Sequence, residues 1–170
     1  MTAGYLLDTN VLIDILRAPA GSAFSIDPNQ PTYVSQMTFA ELRFGIAVAS
    51  GPAQQQRLTD FTIARRLWPN ALPVDDTVVN AYGQVAATIL AAGGTKKQLR
   101  IQVVDAYLAA TAHAFDLELV TSNLSDFQDV SGLIAVTPFT ITAPQERPGT
   151  GDGVLMTGRE ERTVIPRSAG

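Results

Sequence analysis

The sequence predicts an α/β fold with a mainly parallel sheet of about five strands that is flanked by helices. Short apolar segments alternate with longer amphipathic or alanine-rich segments along most of the chain, which is the order that right-handed βαβ units produce. The chain has 170 residues, of which 46% are hydrophobic and only 16% charged, so one domain with a single buried core is expected. In such sheets ligands bind outside the carboxyl ends of the strands, and polar residues directly after a strand are therefore the first candidates for a site.

The predicted elements follow one another in a regular order. The predicted strands are short apolar segments at residues 4–7, 32–35, 71–74, 117–122 and 133–138. The predicted helices lie at residues 11–17, 37–50, 53–67, 76–92 and 103–115. Gly51 and Pro52 are expected to end the second helix, and Gly93 and Gly94 the fourth.

The end of the chain differs in character from the rest. Residues 1–142 are predicted to form the globular domain. From residue 143 onward the sequence is rich in Gly, Pro and charged residues, and its apolar runs are very short. Residues 143–170 are therefore predicted to be a loosely attached or disordered extension.

Composition excludes several classes of protein. There is no cysteine, which rules out a disulfide framework and a thiolate metal site. No apolar stretch reaches the roughly 18 to 20 residues that span a bilayer, and the N-terminus lacks the basic start and apolar run of a secretory signal. We therefore expect a soluble, cytoplasmic protein that does not contact a membrane. The net charge of −4 and the isoelectric point of about 4.8 argue against a simple basic nucleic-acid binder, but not against one that works through bound cations.

Asp8 is the first candidate for the site, in the stretch "YLLDTN". It lies where a predicted strand gives way to a helix. It could act as the helix N-cap, because Asp, Thr and Asn all cap helices well. Alternatively, Thr9 or Asn10 caps the helix, and the Asp8 carboxylate is then free for a site.

Glu41 is the second candidate. Met37, Phe44 and Val48 fall on the same line of the predicted helix, so Glu41 is expected to face inward or toward a cleft, where an unpaired charge is costly. The stretch "TFAE" at 38–41 also matches a capping box, which would place Glu41 in the first helical turn.

Asp105, Asn123 and Asp126 complete the set. Asp105 opens an alanine-rich helix, where a first-turn acid could simply be favoured by the helix dipole. Asn123 and Asp126 lie in "TSNLSDF", which could be a turn with an Asx cap. His113, the only histidine, is predicted to be a packing or surface residue. The remaining acids are predicted to be caps or solvated surface charges, namely Asp14, Asp60, Asp75, Asp76, Asp116, Glu118 and Asp129.

Four segments together resemble a known family. "LLDTNVLI", "TFAELRFG", "VVDAYLAATA" and "LVTSNLSDF", in this order, are similar to segments of PIN-domain ribonucleases, and most of all to the VapC toxins of toxin–antitoxin pairs. The resemblance covers residues 4–140. It implies a PIN-like three-layer fold in which Asp8, Glu41 and Asp105 gather at the carboxyl edge of the sheet. The family often has a fourth acid where this sequence has Asn123, and we expect Asp126 to fill that role with assistance from Asn123.

The resemblance also implies a metal-dependent endoribonuclease. Oxygen ligands without cysteine favour Mg²⁺ or Mn²⁺ over zinc. Asp8 and Asp105 are the expected direct ligands, and Glu41 is expected to orient or deprotonate the attacking water or to hold a second ion. Thr9 and Ser35 could donate hydrogen bonds near the metal. RNA is the expected substrate, and the hydrolysis is expected to be an in-line attack of water on a phosphodiester.

Partners and alternatives follow from the same residues. Arg43, Lys96, Lys97 and Arg100 could contact RNA phosphates, although a solvated loop would explain them equally well. The resemblance implies a homodimer and a small cognate antitoxin, a segment of which enters the active-site groove. The alternative favoured by Asn123 is a PIN-like module that binds RNA or protein without cutting. A phosphatase that uses Asp8 as its nucleophile is a third alternative, but the D-x-D pattern of that class is broken here by an asparagine.

Overall fold

The computed structural model describes residues 2–95, 103–130 and 132–144. Its strands are β1 (Tyr5–Leu7), β2 (Ala23–Phe24), β3 (Thr32–Tyr33), β4 (Glu118–Thr121), β5 (Val136–Pro138) and β6 (Ile141–Thr142). Four of them form a parallel sheet in the order β3-β1-β4-β5. β2 and β6 form a separate antiparallel pair. The two strands at the centre of the main sheet, β1 and β4, are the ones that lead into the candidate site.

Helices cover both faces of the sheet. They are α1 (Thr9–Arg17), α2 (Gln36–Val48), α3 (Gly51–Leu67), α4 (Asp76–Ala91) and α5 (Val103–Ala114), and a 3₁₀ helix spans Leu124–Val130. Leu6 and Leu119 pack in one core with α4 and α5, whereas Leu7 and Val120 pack in a second core with α1, α2 and α3. Because successive side chains of a strand point to opposite faces, two adjacent leucines in β1 serve two different cores. The predicted helix-covered, mainly parallel sheet is confirmed.

The predicted strand at residues 71–74 does not form, so the main sheet has four strands and not five. Only Leu72 pairs with the neighbouring chain: its N–H donates to Val34 O (2.8 Å), and its carbonyl accepts from Gln36 N (2.9 Å). Alternate residues of a strand face the same neighbour, so Val74 would be the next residue of this ladder, but the bridge at Leu72 is isolated. The short β2–β6 pair was not predicted either, because two-residue strands carry no alternation to detect.

Gly51 and Pro52 begin α3 and do not end α2. Helix α2 already ends at Val48, and Pro52 lies in the first turn of α3. Proline is compatible with this position because the first N–H groups of a helix have no intrahelical partner. The two-residue link between the helices places α2 and α3 side by side, which shapes the pocket described below.

Asp60 is buried, contrary to the prediction of a cap or solvated charge. Its side chain is 5% exposed and is held by Arg17, whose Nη2 lies 2.6 Å from Asp60 Oδ2, and by Gln56, whose Nε2 donates to Oδ1 (2.8 Å). A buried carboxylate needs such partners, because desolvation of an unpaired charge is costly. Asp75, by contrast, is a helix cap as predicted: it accepts hydrogen bonds from the first turn of α4.

Parts of the predicted organisation lie outside the described residues. These are the segment 145–170 of the predicted extension, and Lys96, Lys97 and Arg100. Within the described part of the chain, no helix is long and apolar enough to cross a membrane.

Candidate active site

Asp8 directly follows β1 and is the N-cap of α1. Its N–H continues the sheet by donating to Val120 O (3.0 Å). One carboxylate oxygen, Oδ1, accepts from Thr9 N (2.6 Å), and α1 begins at Thr9. The alternative in which Thr9 or Asn10 caps the helix is therefore wrong. The side chain is only 7% exposed, so the sheet and helix hold the carboxylate in place at the carboxyl edge.

Thr121 holds the other oxygen of Asp8. Its hydroxyl donates to Asp8 Oδ2 (2.8 Å) and accepts from Asn123 N (3.0 Å). Thr121 is fully buried at the end of β4, the strand that pairs with β1. It was missed from the sequence, where a threonine that ends an apolar strand has no distinguishing mark. Its two bonds fix Asp8 and the segment after β4 relative to each other.

Glu41 reaches the site from α2. Its Oε2 accepts a hydrogen bond from the Thr9 hydroxyl. The capping-box alternative is wrong, because Ser35 is the N-cap of α2 and Glu41 lies in the second turn. The apolar line is wrong as well: Phe44 and Val48 are 69% and 63% exposed and do not pack in a core. Glu41 therefore owes its position to contact with α1 and not to an inward-facing stripe.

Asp105 and Asp126 line one narrow cleft. Asp105 lies in the first turn of α5, as predicted, and Asp126 lies on the 3₁₀ helix after β4. The floor of the cleft is formed by apolar residues of α4, α5 and the 3₁₀ helix. The cleft thus brings together two acids that are 21 residues apart in the sequence.

Asn123 acts on Asp126. Its Nδ2 donates to Asp126 Oδ2 (2.6 Å), while its own Oδ1 accepts from Ser125 Oγ (2.6 Å). The amide therefore orients a carboxylate, and its oxygen is already used within the same turn. The expected roles of Asp126 and Asn123 at a metal site stay a prediction.

The four acids influence one another electrostatically. The pKa of Asp105 is raised to about 6 by burial and then by the charges of Asp8, Asp126 and Glu41. Burial also raises the pKa of Asp8, with a contribution from Asp126, although the bonds from Thr121 and Thr9 act in the opposite direction. The pKa of Glu41 is raised by burial and by Asp8. Like charges that interact in this way favour a cation or a proton between them.

The donor set fits a hard divalent cation that retains water. Carboxylate oxygens are the ligands that Mg²⁺ and Mn²⁺ prefer. Within 2–95, 103–130 and 132–144, no group of three or more His, Cys, Asp or Glu residues is placed so that it could hold a metal ion. Magnesium does not require a site of three protein ligands, because it is usually held by one or two carboxylates together with waters and substrate phosphates.

Other predicted site residues lie elsewhere or have another role. Ser35 caps α2 by accepting from Met37 N (3.2 Å). The Arg43 guanidinium lies over the Phe61 ring, 4.7 Å from its centroid, in a separate surface cavity. His113 makes a hydrogen bond with Gln84 Oε1 (2.7 Å) between α5 and α4, in keeping with a packing role.

Known proteins share both the fold and the sequence pattern. The chain is 33% identical over 123 residues to ribonuclease VapC4 of Mycobacterium tuberculosis, which covers 69% of this chain and 85% of that protein. It is 29% identical over 141 residues to VapC ribonuclease Y4jK of Sinorhizobium fredii, covering 79% and 96% of the two chains. The structure also matches a chain of the M. tuberculosis VapBC-5 toxin–antitoxin complex, with a TM-score of 0.59, 24% identity and coverage of 80% and 97%.

The four-stranded parallel sheet, its two layers of helices and the acids at its carboxyl edge define an α/β protein with a PIN-like fold. The family model of the PIN domain matches residues 5–133, and the chain belongs to the PIN-domain family. Among its members, the VapC ribonucleases are relatives of this chain over nearly their whole length.

Proposed function

We propose that this protein is an endoribonuclease that hydrolyses RNA phosphodiester bonds with Mg²⁺ or Mn²⁺, and that it is the toxin of a toxin–antitoxin pair. The observation that carries the proposal is the group of mutually interacting carboxyl groups at the carboxyl edge of a PIN-domain sheet. The names of the related VapC ribonucleases support the choice of RNA as substrate.

Each acid has a distinct role in this proposal. Asp8 and Asp105 would hold the divalent cation, which would supply a nucleophilic water at neutral pH and stabilise the charge of the attacked phosphate. Glu41 orients that water and accepts its proton, a role that its raised pKa favours. The Thr9 hydroxyl holds Glu41 in the required orientation.

Asp126 fills the fourth position, and Asn123 positions it. We expect Asp126→Asn to reduce cleavage by about 10- to 100-fold, as the loss of a residue that supports a metal site does. Asn123→Ala removes only one hydrogen bond to Asp126, so a loss of up to about tenfold is expected. Rates of RNA cleavage at saturating Mg²⁺ measure both effects, and Asp129→Asn, an exposed acid in the same 3₁₀ helix, is the matched control. A larger loss in Asn123→Ala than in Asp126→Asn would assign the fourth position to Asn123.

An antitoxin and a second copy of the chain are the proposed partners. The related complexes named as toxin–antitoxin systems support the antitoxin. Phe44 and Val48 lie four residues apart on α2 and are mostly exposed, so they form an apolar strip on one face of the helix. Such a strip on the helix that carries Glu41 would let a bound antitoxin cover the site.

The function is tested by cleavage of RNA by the purified protein after any bound antitoxin has been removed. We expect cleavage with Mg²⁺ or Mn²⁺, none with EDTA, and recovery when the metal is restored. Induced expression should arrest growth, and coexpression of the antitoxin should relieve the arrest. Cleavage that persists in EDTA would refute the metal-dependent mechanism.

Two further outcomes separate the alternatives. Metal-dependent RNA binding without cleavage of any cellular RNA would favour the non-cleaving module. Release of phosphate from a phosphomonoester, with RNA left intact, would favour the phosphatase.

A further inference from the structure

A pocket of about 240 Å³ lies beside the acidic site, between α1, α2 and α3. It shares Thr9 and Glu41 with the site, so anything bound in it lies next to the reacting groups. Its other lining residues are Ile13, Arg17, Leu42, Gly45, Arg57 and Asp60. The volume is below the roughly 300–1,000 Å³ of pockets that enclose a drug-sized ligand, which suits a single nucleotide unit of a longer chain.

Arg57 is the arginine of this pocket that has no carboxylate partner among the described residues. The charge of Asp60 is already matched by Arg17, the only ion pair in the described part of the chain. The Arg57 guanidinium has a neutral partner instead: its Nη1 donates to Gly45 O (2.5 Å). A guanidinium has five N–H donors in a fork that matches phosphate oxygens. Arg57 can therefore keep its helix contact and still bind an anion.

Helix capping explains part of the position of Arg57. Gly45 and Ile46 provide two of the last four carbonyls of α2, which lack intrahelical partners. Arg57 donates to the first, and Gln54 Nε2 donates to the second (3.2 Å). A neutral glutamine thus performs the same capping, so capping alone does not require a positive charge at the wall of the pocket.

Gly45 leaves the space that Arg57 occupies. A Cβ at this position would lie 3.1 Å from Arg57 Nη1, tighter than an ordinary contact. Glycine inside a helix lowers its stability relative to alanine, and here its hydrogen side chain admits the guanidinium against the helix backbone.

We propose that this pocket binds a nucleotide adjacent to the scissile phosphate, with its phosphate on Arg57 and its sugar or base against Ile13 and Leu42. This inference rests on the proposed ribonuclease function. The charge argument favours RNA as the occupant, because an acidic site repels a polyanion, and a guanidinium without a carboxylate partner in the pocket that Glu41 also lines offsets that repulsion. Arg57 thus takes the role that the sequence suggested for Arg43, whose guanidinium lies over an aromatic ring in another cavity.

The test is the binding of a fluorescent single-stranded RNA of mixed sequence in EDTA, measured over a series of KCl concentrations. Arg57→Gln is expected to weaken binding about tenfold at low salt, the loss of one charge-assisted contact. The slope of log K against log[KCl] should become shallower by about 0.7, the value for one phosphate contact on a single strand. In the cleavage assay the same variant should raise KM about tenfold and change kcat by less than about threefold. Gly45→Ala should weaken binding without lowering Tm, because alanine favours the helix.

Two matched variants separate a phosphate contact from other effects. Arg66→Gln removes the same charge from the opposite side of α3, nine residues away, and Gln54→Ala removes the neighbouring cap without a charge. Both are expected to bind RNA within about twofold of the wild type. A salt slope unchanged in Arg57→Gln, or a loss equal to that of Gln54→Ala with a lowered Tm, would overturn the subsite. An Arg57→Gln protein that binds RNA normally but loses its antitoxin would assign the pocket to the protein partner.

Failure of the subsite and failure of the function give different results. Wild-type protein that cleaves RNA with Mg²⁺ while Arg57→Gln keeps its KM and salt slope refutes only the pocket assignment. Wild-type protein that neither binds nor cleaves RNA refutes both.

Discussion

Replacing Asp8 by asparagine is expected to reduce RNA cleavage by at least about a hundredfold, since the change removes a charge that holds the cation in the proposed mechanism. The asparagine oxygen can still accept from Thr9 N, so the cap of α1 is retained. The contact with Thr121 requires only a rearrangement of hydrogen positions. The loss should therefore be one of activity and not of folding, and rates of RNA cleavage together with circular dichroism measure the two separately.

Asp14→Asn is the matched control for this change. Asp14 lies on the same helix but is exposed, and it lines none of the cavities around the site. Its variant should cleave RNA at the wild-type rate. Equal activity of the Asp8 and Asp14 variants would show that the carboxylate at the end of β1 has no part in the reaction.

The capping role of Asp8 and its proposed role in metal binding were alternatives at the level of the sequence. Capping and metal binding both require a carboxylate in this position, so no local pattern distinguishes one from the other. In the structure Oδ1 caps the helix and Oδ2 accepts from Thr121. Each carboxylate oxygen has two lone pairs and uses one of them here, so both oxygens can still contact a cation. An Asp8 that caps the helix can therefore also contact a cation, so the two roles do not exclude each other.

The order of strands and helices was predictable because it depends on local patterns. The alternation of strand and helix segments placed β1, β4 and most helices within a few residues of their observed bounds. It failed at residues 71–74, where four apolar or small residues resemble a strand but only Leu72 pairs with a neighbouring segment. Helical periodicity also gave the wrong reason for the position of Glu41, because the helical line through Phe44 and Val48 faces solvent and not the core.

The contacts that complete the site depend on tertiary structure. Thr121 and Asp8 are 113 residues apart and meet only because β1 and β4 pair in parallel. Burial of Asp60 similarly depends on Arg17, which lies 43 residues earlier. Neither residue has a neighbour in the sequence that predicts its partner. The acids could be found because residue type and position relative to a strand or helix are local, whereas their supporting residues could not.

Asp105→Asn is expected to raise the stability of the metal-free protein at pH 7.5. The pKa of Asp105 in the folded protein, about 6, lies above the value of about 3.9 for an unfolded chain. Between these pH values the folded state therefore binds more protons than the unfolded state. The free energy of unfolding falls as the pH rises from about 4 through 6. The shift corresponds to about 3 kcal/mol, and screening by water at this partly exposed group reduces the expected gain in the variant to about 1–2 kcal/mol. The gain should shrink as the pH is lowered toward 4.

Thermal unfolding in EDTA measures this gain, and Mg²⁺ should reverse it. A cation stabilises the folded wild type by mass action, and Asp105→Asn, which lacks one ligand, should respond less. Asp76→Asn is the control, because Asp76 is also a first-turn acid but is exposed at the start of α4. If Asp105 were only an acid favoured by the helix dipole, both variants would lose about 0.3–1 kcal/mol. Opposite signs in the two variants would instead identify Asp105 as a member of a repelling carboxylate group that requires a cation. An Asp105→Asn protein that is less stable than the wild type in EDTA would contradict that assignment, whatever its activity.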